Sequence, residues 1–295
     1  MKIDTHQHYW RYRKQDFPWI SEAMHLLMRD FMPSDCDITL STAGVDAVVA
    51  VQARSLAEET DFLLEVATHN PKVVGVVGWA DLAAPDLEHQ LEKWAEHAAF
   101  KGLRHILQDE PDIDHWVAAP AINQGLRVMQ SRAMVYDLLV FDYQLPAVMK
   151  LCACHDQHWL VLDHVGKPAM RDWAHDPEGP HRWNRSMHEL AKLPHVVCKL
   201  SGMVTEADWG THNGITTEDV KVMLSCFDTA LEFFGPQRLM FGSDWPVCQL
   251  AATYDAVYDL AHTWASTRLN LSEQDAFWGG NAVRYYGLNV QTITD

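Results

Sequence analysis

Two polar clusters at opposite ends of the chain constrain its fold more than any other sequence feature. Asp4–His8 ends a short apolar run at the start of the chain, and Gly242–Pro246 ends another apolar run late in the chain. On a strand, His6 and His8 point to the same face because side chains alternate with a period of two. Asp244 can face them only if the sheet curls until its last strand reaches its first. The pair therefore predicts a closed barrel with a His/His/Asp site at its C-terminal mouth.

Strand-like runs alternate with helical patterns along the whole chain. Most runs are rich in Val, Ile or Leu without strict alternation, which is typical of parallel strands covered on both faces. Repeated strand–helix units predict an α/β fold, a single (β/α)8 TIM-like barrel that spans residues 1–295 as one domain. The predicted strands are Lys2–His8, Val45–Arg54, Val73–Leu82, Lys101–Leu107, Ala133–Val140, Trp159–Val165, Val196–Met203 and Arg238–Val247.

Two long segments interrupt this rhythm. Tyr9–Asp35 and Gly166–Arg185 follow the first and sixth predicted strands, and both are rich in aromatic residues. Loops at the C-terminal ends of barrel strands form the active-site face. We therefore expect both segments to lie over the mouth as lids.

Composition narrows the class of protein. The chain has 23 basic and 40 acidic residues, a net charge of −17, so it lacks the basic footprint that nucleic-acid binding needs. Its longest apolar runs have the length of strands, which predicts no membrane span. The six scattered cysteines favour free thiols in a reducing compartment over a disulfide framework. We expect a cytoplasmic protein with a small-molecule partner, and the sequence leaves its oligomeric state open.

The polar residues at predicted strand ends suggest a catalytic centre. His164 closes the sixth predicted strand, whereas its neighbour Asp163 is expected to point the other way and to bond to backbone or a loop. Together, His6, His8, His164 and Asp244 suit one divalent ion such as zinc, with open positions for water or substrate. The same group also suits a metal-free site. There the imidazoles polarise a carbonyl and the carboxylate accepts a proton from water.

Other residues near strand ends are candidates for binding a substrate. Because neighbours on a strand face opposite ways, only one of Arg104 and His105 can enter the mouth directly. The substrate-binding candidates are Arg104, His105, Arg54, Trp245 and Lys167, and Lys199 lies near a further strand end.

The ordered set of motifs resembles the amidohydrolase superfamily, and within it the branch of sugar lactonases, sulfomuconolactone hydrolase and pyrone dicarboxylate lactonase. The resemblance covers nearly the whole chain and implies a (β/α)8 barrel with His6, His8, His164 and Asp244 at its centre. The motifs that carry it are His6-x-His8, Lys101–His105 with Gln108–Pro111, Leu162–Pro168, Lys199–Gly202, Phe241–Pro246 and Gly280–Ala282.

The chain also departs from the superfamily pattern. Where many members carry a metal-bridging lysine on strand four, this chain offers Lys101 too early and Arg104 at the end, and its fifth strand has no histidine. The resemblance therefore implies at most one divalent metal, zinc first, and the branch is reported to include members that work without metal.

The resemblance implies a hydrolase that opens the ester of a small sugar lactone, such as L-fucono-lactone, with Asp244 activating water. The few arginines near the mouth favour a neutral lactone over a diacid. A metal-dependent decarboxylase of an aromatic or unsaturated acid shares the His-x-His motif and the late aspartate, and it is the alternative. A non-catalytic barrel that binds metal or sugar is a third hypothesis.

Overall fold

The central element of the fold is one sheet of parallel strands arranged in chain order. The computed structural model describes residues 1–212 and 214–289. Each strand pairs in parallel with the next along the chain, so the sheet order is the sequence order. The strands are β1 (Ile3–Gln7), β2 (Ala47–Val51), β3 (Val73–Gly78), β4 (Phe100–His105), β5 (Val135–Leu138), β6 (Leu160–Leu162), β7 (Val196–Leu200) and β8 (Leu239–Phe241).

The first strand and the segment after the last strand close the barrel. Gln7 forms a parallel bridge with Trp245. The His8 amide donates to the Trp245 carbonyl at 2.7 Å, and the Asp244 amide donates to the His6 carbonyl at 2.9 Å. The predicted (β/α)8 barrel is therefore confirmed, together with the meeting of its first and last strands.

Helices cover the outside of the barrel because each has one apolar stripe. In α2, for example, Leu63, Val66 and Ala67 are buried at spacings of three and four. The helices are α1 (Asp37–Ala43), α2 (Glu59–His69), α3 (Leu87–Ala95), α4 (Ile113–Ala118), α5 (Pro120–Ser131), α6 (Leu145–Cys154), α7 (Gly179–Ala191), α8 (Trp209–His212), α9 (Thr217–Phe234), α10 (Tyr254–Arg268), α11 (Leu271–Asp275) and α12 (Asn281–Tyr286).

The apolar core has two parts, one outside and one inside the barrel. Val48 and Ala50 of β2 join the large cluster between strands and helices, whereas Val49 and Val51 face the interior. This alternation buries both faces of each strand, as expected for a parallel sheet. The interior cluster includes Tyr286 of α12, so the last helix packs against the barrel interior.

Both long segments lie over the mouth, as predicted. The first is built from short 3-10 turns, the longest being Glu22–Leu27, and it brings Trp19 and Met24 to a cavity above the barrel. The second is shorter than predicted because α7 begins at Gly179.

The predicted ends of the sixth and eighth strands were too late. The backbone of His164 has φ 54° and that of Asp244 has φ 61°, so both residues lie in turns beyond the ends of β6 and β8. All six cysteines are free thiols. Among the described residues, no helix combines the length and apolar character that crossing a membrane requires.

Candidate active site

Three imidazoles surround one carboxylate oxygen at the mouth of the barrel. Asp244 Oδ1 lies 3.2 Å from His8 Nε2, 3.8 Å from His6 Nε2 and 4.0 Å from His164 Nε2. All four side chains are buried. The structure therefore brings together the four residues that the sequence singled out as the centre of the site.

Local backbone geometry aims these side chains inward. His164 and Asp244 occupy the left-handed region, which costs a residue with a Cβ about 1–2 kcal/mol. Such strain persists where the surroundings hold it, and it is common at functional sites. Gly202 and Gly242 leave the space that the rings need. A Cβ on Gly202 would overlap the His164 ring, and one on Gly242 would lie 2.8 Å from the Cβ of His6.

The proton on His8 is fixed by a backbone carbonyl. His8 Nδ1 lies 2.8 Å from the Val51 carbonyl oxygen, which can only accept, so Nδ1 carries a proton and donates it. In a neutral ring, Nε2 then presents a lone pair toward Asp244 Oδ1. Two lone pairs at 3.2 Å repel one another. The arrangement therefore calls for a positive charge between these atoms, either a second proton on His8 or a bound cation.

Charged neighbours hold His6 in the same tautomer as His8. Arg104 Nη1 lies 3.2 Å from His6 Nε2, and a guanidinium can only donate, so this nitrogen accepts. Nδ1 lies 3.3 Å from Asp163 Oδ1 and 3.1 Å from Lys199 Nζ. Lys199 has the Asp137 and Asp163 carboxylates as acceptors, so the ring proton is placed on Nδ1, toward Asp163. Burial holds the pKa of His6 well below its usual value despite the nearby Asp163 carboxylate. His6 is therefore a neutral imidazole whose Nε2 lone pair is on the side of Arg104 and Asp244.

His164 is also neutral near pH 7. Burial lowers the pKa of His164 to about 4, although the Asp244 and Asp163 carboxylates act in the other direction. His164 Nδ1 lies 2.9 Å from the Ser201 hydroxyl. When this hydroxyl donates to Nδ1, the ring proton lies on Nε2, on the side that faces Asp244.

Asp244 is ionised at neutral pH. Burial raises its pKa, but attraction to His164 and the hydrogen bond from His8 outweigh burial and hold the pKa of this carboxyl below its usual range. At the low pH where Asp244 would take up a proton, His164 is itself protonated. The site thus presents a carboxylate ringed by imidazoles.

A network of buried charges lies beneath the cluster, and sequence reasoning missed its centre. Asp163, expected to point away, is fully buried and inside the barrel. Its Oδ2 accepts from Arg104 Nη1 at 2.9 Å, and its Oδ1 lies 3.1 Å from Lys199 Nζ. Lys199 donates to Asp137 at 2.5 Å, and the Tyr286 hydroxyl donates to the same carboxylate. Burial raises the pKa of Asp163, but Lys199 and His6 outweigh it and hold this pKa well below its usual value.

Within the described residues, two overlapping sets of side chains could hold a metal ion. One set is His6, His8 and Asp244, and the other is His6, Asp163 and His164; in each, the ligand atoms lie within 4.8 Å of one another. In the second set, Asp163 already has Lys199 and Arg104 as partners. The first set is the better candidate, because its carboxylate, Asp244, is not already paired with these two cations. Its imidazole and carboxylate donors also suit zinc.

A cavity of about 490 Å³ lies above these groups, a size typical of small-molecule sites. His8, Arg104, His164 and Asp244 line its floor, and both long segments contribute to its walls. Its aromatic lining comes from Trp19, Phe141, Tyr143 and Trp209.

The structure places two of the five predicted substrate-binding residues at the cavity. Arg104 and Lys167 line the cavity, and Lys167 Nζ lies 2.8 Å from Glu206 Oε1 on the same wall. In the part of the chain that the structure describes, Arg54, His105 and Trp245 are not among the residues that line it.

Each of these three residues has partners elsewhere. Arg54 donates to Glu59 at 2.6 Å and to Asp16 at 3.1 Å. His105 Nε2 lies 2.6 Å from Glu110 Oε1, and its ring stacks on Trp116. Trp245 packs against Tyr9 and Phe31. Their substrate-binding role stays a prediction without support from this geometry.

Comparisons with known proteins agree with this architecture. A family model described as amidohydrolase matches residues 3–288. An L-fucono-1,5-lactonase of Burkholderia multivorans is 49% identical over 288 residues, covering 98% of this chain and 96% of the relative. A crystal structure of an amidohydrolase from Burkholderia multivorans with bound zinc is 48% identical, with a TM-score of 0.94 over 98% of this chain and 99% of that chain.

A more distant structure bears on the decarboxylase alternative. A dihydroxybenzoic acid decarboxylase from Polaromonas sp. JS666, with bound manganese and an inhibitor, is 13% identical, with a TM-score of 0.64 over 98% of each chain. This likeness shows a shared fold alone. A family model matches the chain almost end to end, and a relative is 49% identical over 98% of this chain, so the chain belongs to the amidohydrolase family.

Proposed function

We propose that this chain hydrolyses the ring ester of a small, neutral sugar lactone such as an L-fucono-lactone. One observation carries the proposal: on the cavity floor, Asp244 Oδ1 lies within 4.0 Å of three imidazole Nε2 atoms. Ester hydrolysis needs a base for water and donors for the developing oxyanion, and this cluster offers both. The 49% identity to an L-fucono-1,5-lactonase supports the same activity, whereas the decarboxylase shares only the fold.

Asp244 acts as the base. Its depressed pKa keeps it ionised at neutral pH, so it accepts a proton from the water that attacks the lactone carbonyl carbon. The new carbon–oxygen bond gives a tetrahedral oxyanion. As that intermediate collapses, the ring carbon–oxygen bond breaks and Asp244 returns the proton to the departing ring oxygen. The product is the open hydroxy acid.

His164 supplies a donor for the oxyanion. With Ser201 donating to Nδ1, the Nε2–H of His164 faces the cavity. Its 4.0 Å separation from Asp244 Oδ1 is too long for a hydrogen bond, so this N–H is available to the lactone carbonyl oxygen. A preorganised donor of this kind contributes about 3–4 kcal/mol to transition-state stabilisation.

The donor set fits one divalent ion. The facing acceptor atoms of His8 and Asp244 call for a positive charge between them. The relative that was crystallised with bound zinc supports zinc as the metal. His6, His8 and Asp244 would hold the ion, which when bound polarises a carbonyl and acidifies water. Without metal, a second proton on His8 would satisfy the same contact by donating to Asp244.

The charges around the cavity favour a neutral substrate. Arg104, Lys167 and Arg171 face four carboxylates, so the wall has no excess positive charge for a diacid; the carboxylates are Asp142, Asp172, Glu206 and Asp244. Paired cations and carboxylates suit hydroxyl groups, which both donate and accept. We also propose a cytoplasmic location, which the six free thiols support.

The test is a panel of aldono-lactones followed with a pH indicator, with and without chelator, using wild type and Asp244→Asn. We expect Asp244→Asn to lower kcat about 10³-fold, within the range of general-base catalysis. Asp86→Asn, which neutralises an exposed carboxylate outside the cavity lining, is the matched control and should stay within threefold of wild type, roughly the effect of a remote charge. Near-native turnover by Asp244→Asn would rule out the base assignment, and release of carbon dioxide from an aromatic acid would favour the decarboxylase.

A further inference from the structure

Every N–H of the Arg104 guanidinium already has a protein partner. Nε donates to Gln52 Oε1 at 3.0 Å, and Nη2 donates to the same oxygen at 2.8 Å and to the Gln52 carbonyl at 2.5 Å. Nη1 donates to Asp163 Oδ2 at 2.9 Å and lies 3.2 Å from His6 Nε2. A guanidinium has five donors, and this set uses all of them. Arg104 therefore has no donor left for a substrate unless it releases one of these partners.

The contact with His6 is the one that matters for the site. Gln52 and Asp163 clamp the guanidinium from two sides, and the side chain is only 3% exposed, so Nη1 is held in place. His6 Nε2 is also the ring nitrogen that lies 3.8 Å from Asp244 Oδ1, so it is the atom through which His6 would join His8 and Asp244 in holding a metal ion. One lone pair cannot serve a guanidinium donor and a metal ion at the same time.

We infer that Arg104 is a positioning residue that competes with a divalent cation for His6 Nε2. It fixes the His6 proton on Nδ1, toward Asp163, and keeps the Nε2 lone pair engaged while no metal is bound. Its charge also repels a second cation placed beside His6. The inference rests on the proposed metal site and not on the identity of the lactone.

Zinc affinity separates this role from a purely structural one. We would measure zinc binding by competition with a fluorescent chelator for wild type, Arg104→Met and Lys167→Met. Both variants remove one positive charge from the cavity lining, but Lys167 pairs with Glu206. A hydrogen bond to a charged group is worth about 1.5–3 kcal/mol, so Arg104→Met should bind zinc about tenfold or more tightly than wild type. Lys167→Met should stay within about threefold of wild type, because the removed charge makes no contact with His6.

The outcomes decide between the two roles. If Arg104→Met binds zinc more tightly than wild type and Lys167→Met does not, Arg104 competes with zinc for His6 Nε2. The same conclusion holds if wild type binds zinc too weakly to detect. Equal affinity in wild type and Arg104→Met, equal gains in both variants, or no zinc binding in any of the three proteins would overturn it. Lactone turnover by wild type is measured separately, so a failure of the lactonase proposal remains distinguishable.

A second measurement uses the wild-type protein, so it does not depend on whether an Arg104 variant folds. Long-range ¹H–¹⁵N spectra of wild type with ¹⁵N-labelled histidine report which ring nitrogen carries the proton, and loss of a signal in His6→Gln assigns it. We expect a neutral His6 with its proton on Nδ1 and an unprotonated Nε2. A proton on Nε2 would refute the inference, because that nitrogen could not then accept from Arg104.

Discussion

Replacing Gly202 with alanine should disable the site while sparing most of the stability of the fold. Gly202 follows β7 with φ 62°, in the left-handed region, and its Cα faces the His164 ring. An added Cβ would overlap Nδ1 of that ring and lie 2.6 Å from Cγ. Since the glycine backbone is fixed by the turn into the segment after β7, the imidazole has to move.

The expected size of the effect follows from two contributions. A left-handed alanine costs about 1–2 kcal/mol, and the reduced freedom of the unfolded chain returns about 0.4–1 kcal/mol, so the backbone conformation alone should lower the free energy of unfolding by about 1 kcal/mol. The collision with the ring adds the cost of overpacking, about 1–3 kcal/mol. Restoring a normal carbon–carbon contact of about 3.5–4.0 Å requires the ring to shift by about 1 Å. That shift breaks the 2.9 Å contact with Ser201 and misplaces the Nε2 donor. A misplacement of about 1 Å costs about 10²-fold in turnover.

Gly287→Ala is the matched control. Gly287 has φ 57°, and an added Cβ there would meet nothing within 4 Å, so it tests the backbone strain without the collision. Urea unfolding should show a loss of about 1 kcal/mol for Gly287→Ala and a larger loss for Gly202→Ala, because the collision adds the cost of overpacking, about 1–3 kcal/mol. Only Gly202→Ala should lose lactone turnover in the pH-indicator assay. If its kcat stayed within about threefold of that of Gly287→Ala, the reasoning that places His164 at the reacting carbonyl would be wrong.

Two further predictions concern pH and substrate affinity. His164 has a pKa of about 4 in the folded protein against an ordinary value of 6.5. As the pH falls, the unfolded chain therefore takes up this proton before the folded chain does. The free energy of unfolding should fall by up to about 3 kcal/mol between pH 6.5 and pH 4. Urea unfolding at several pH values should show a shallower decline for His164→Asn; an unchanged slope would contradict the neutral ring. Lys167→Met should raise KM for the lactone about tenfold with a smaller change in kcat, because a charged hydrogen bond to a hydroxyl is lost. Steady-state kinetics test this, and an unchanged KM would remove Lys167 from the substrate site.

The barrel and the meeting of its ends could be predicted from the sequence for a physical reason. The short spacing of His6 and His8 fixes a common face on a strand, and a late carboxylate reaches that face only in a closed sheet. The structure agrees, since the Asp244 amide donates directly to the His6 carbonyl. The resemblance to a known family added the expected chemistry.

Asp163 shows where such reasoning fails. Strand alternation placed it opposite His164, but β6 ends at Leu162 and the next residues form a turn with φ 54° at both His164 and Val165. Alternation holds only within extended backbone, so Asp163 and His164 can both enter the barrel. Lys199 was placed near a strand end, whereas it is fully buried within β7 and paired with Asp137. Finding that pair requires the register between strands, which one sequence does not provide.

The pairing of charges inside the barrel explains why Asp244 is the group left for chemistry. Lys199 lies between Asp137 and Asp163, and Arg104 adds a second cation on Asp163, so two cations balance two carboxylates in the buried network. Asp244, by contrast, lies against imidazole nitrogens, and burial keeps the pKa values of His6 and His164 low. A carboxylate whose charge is not cancelled by a lysine or arginine can take a proton from water or bind a cation. The paired charges of the buried network below Asp244 hold the imidazoles in place.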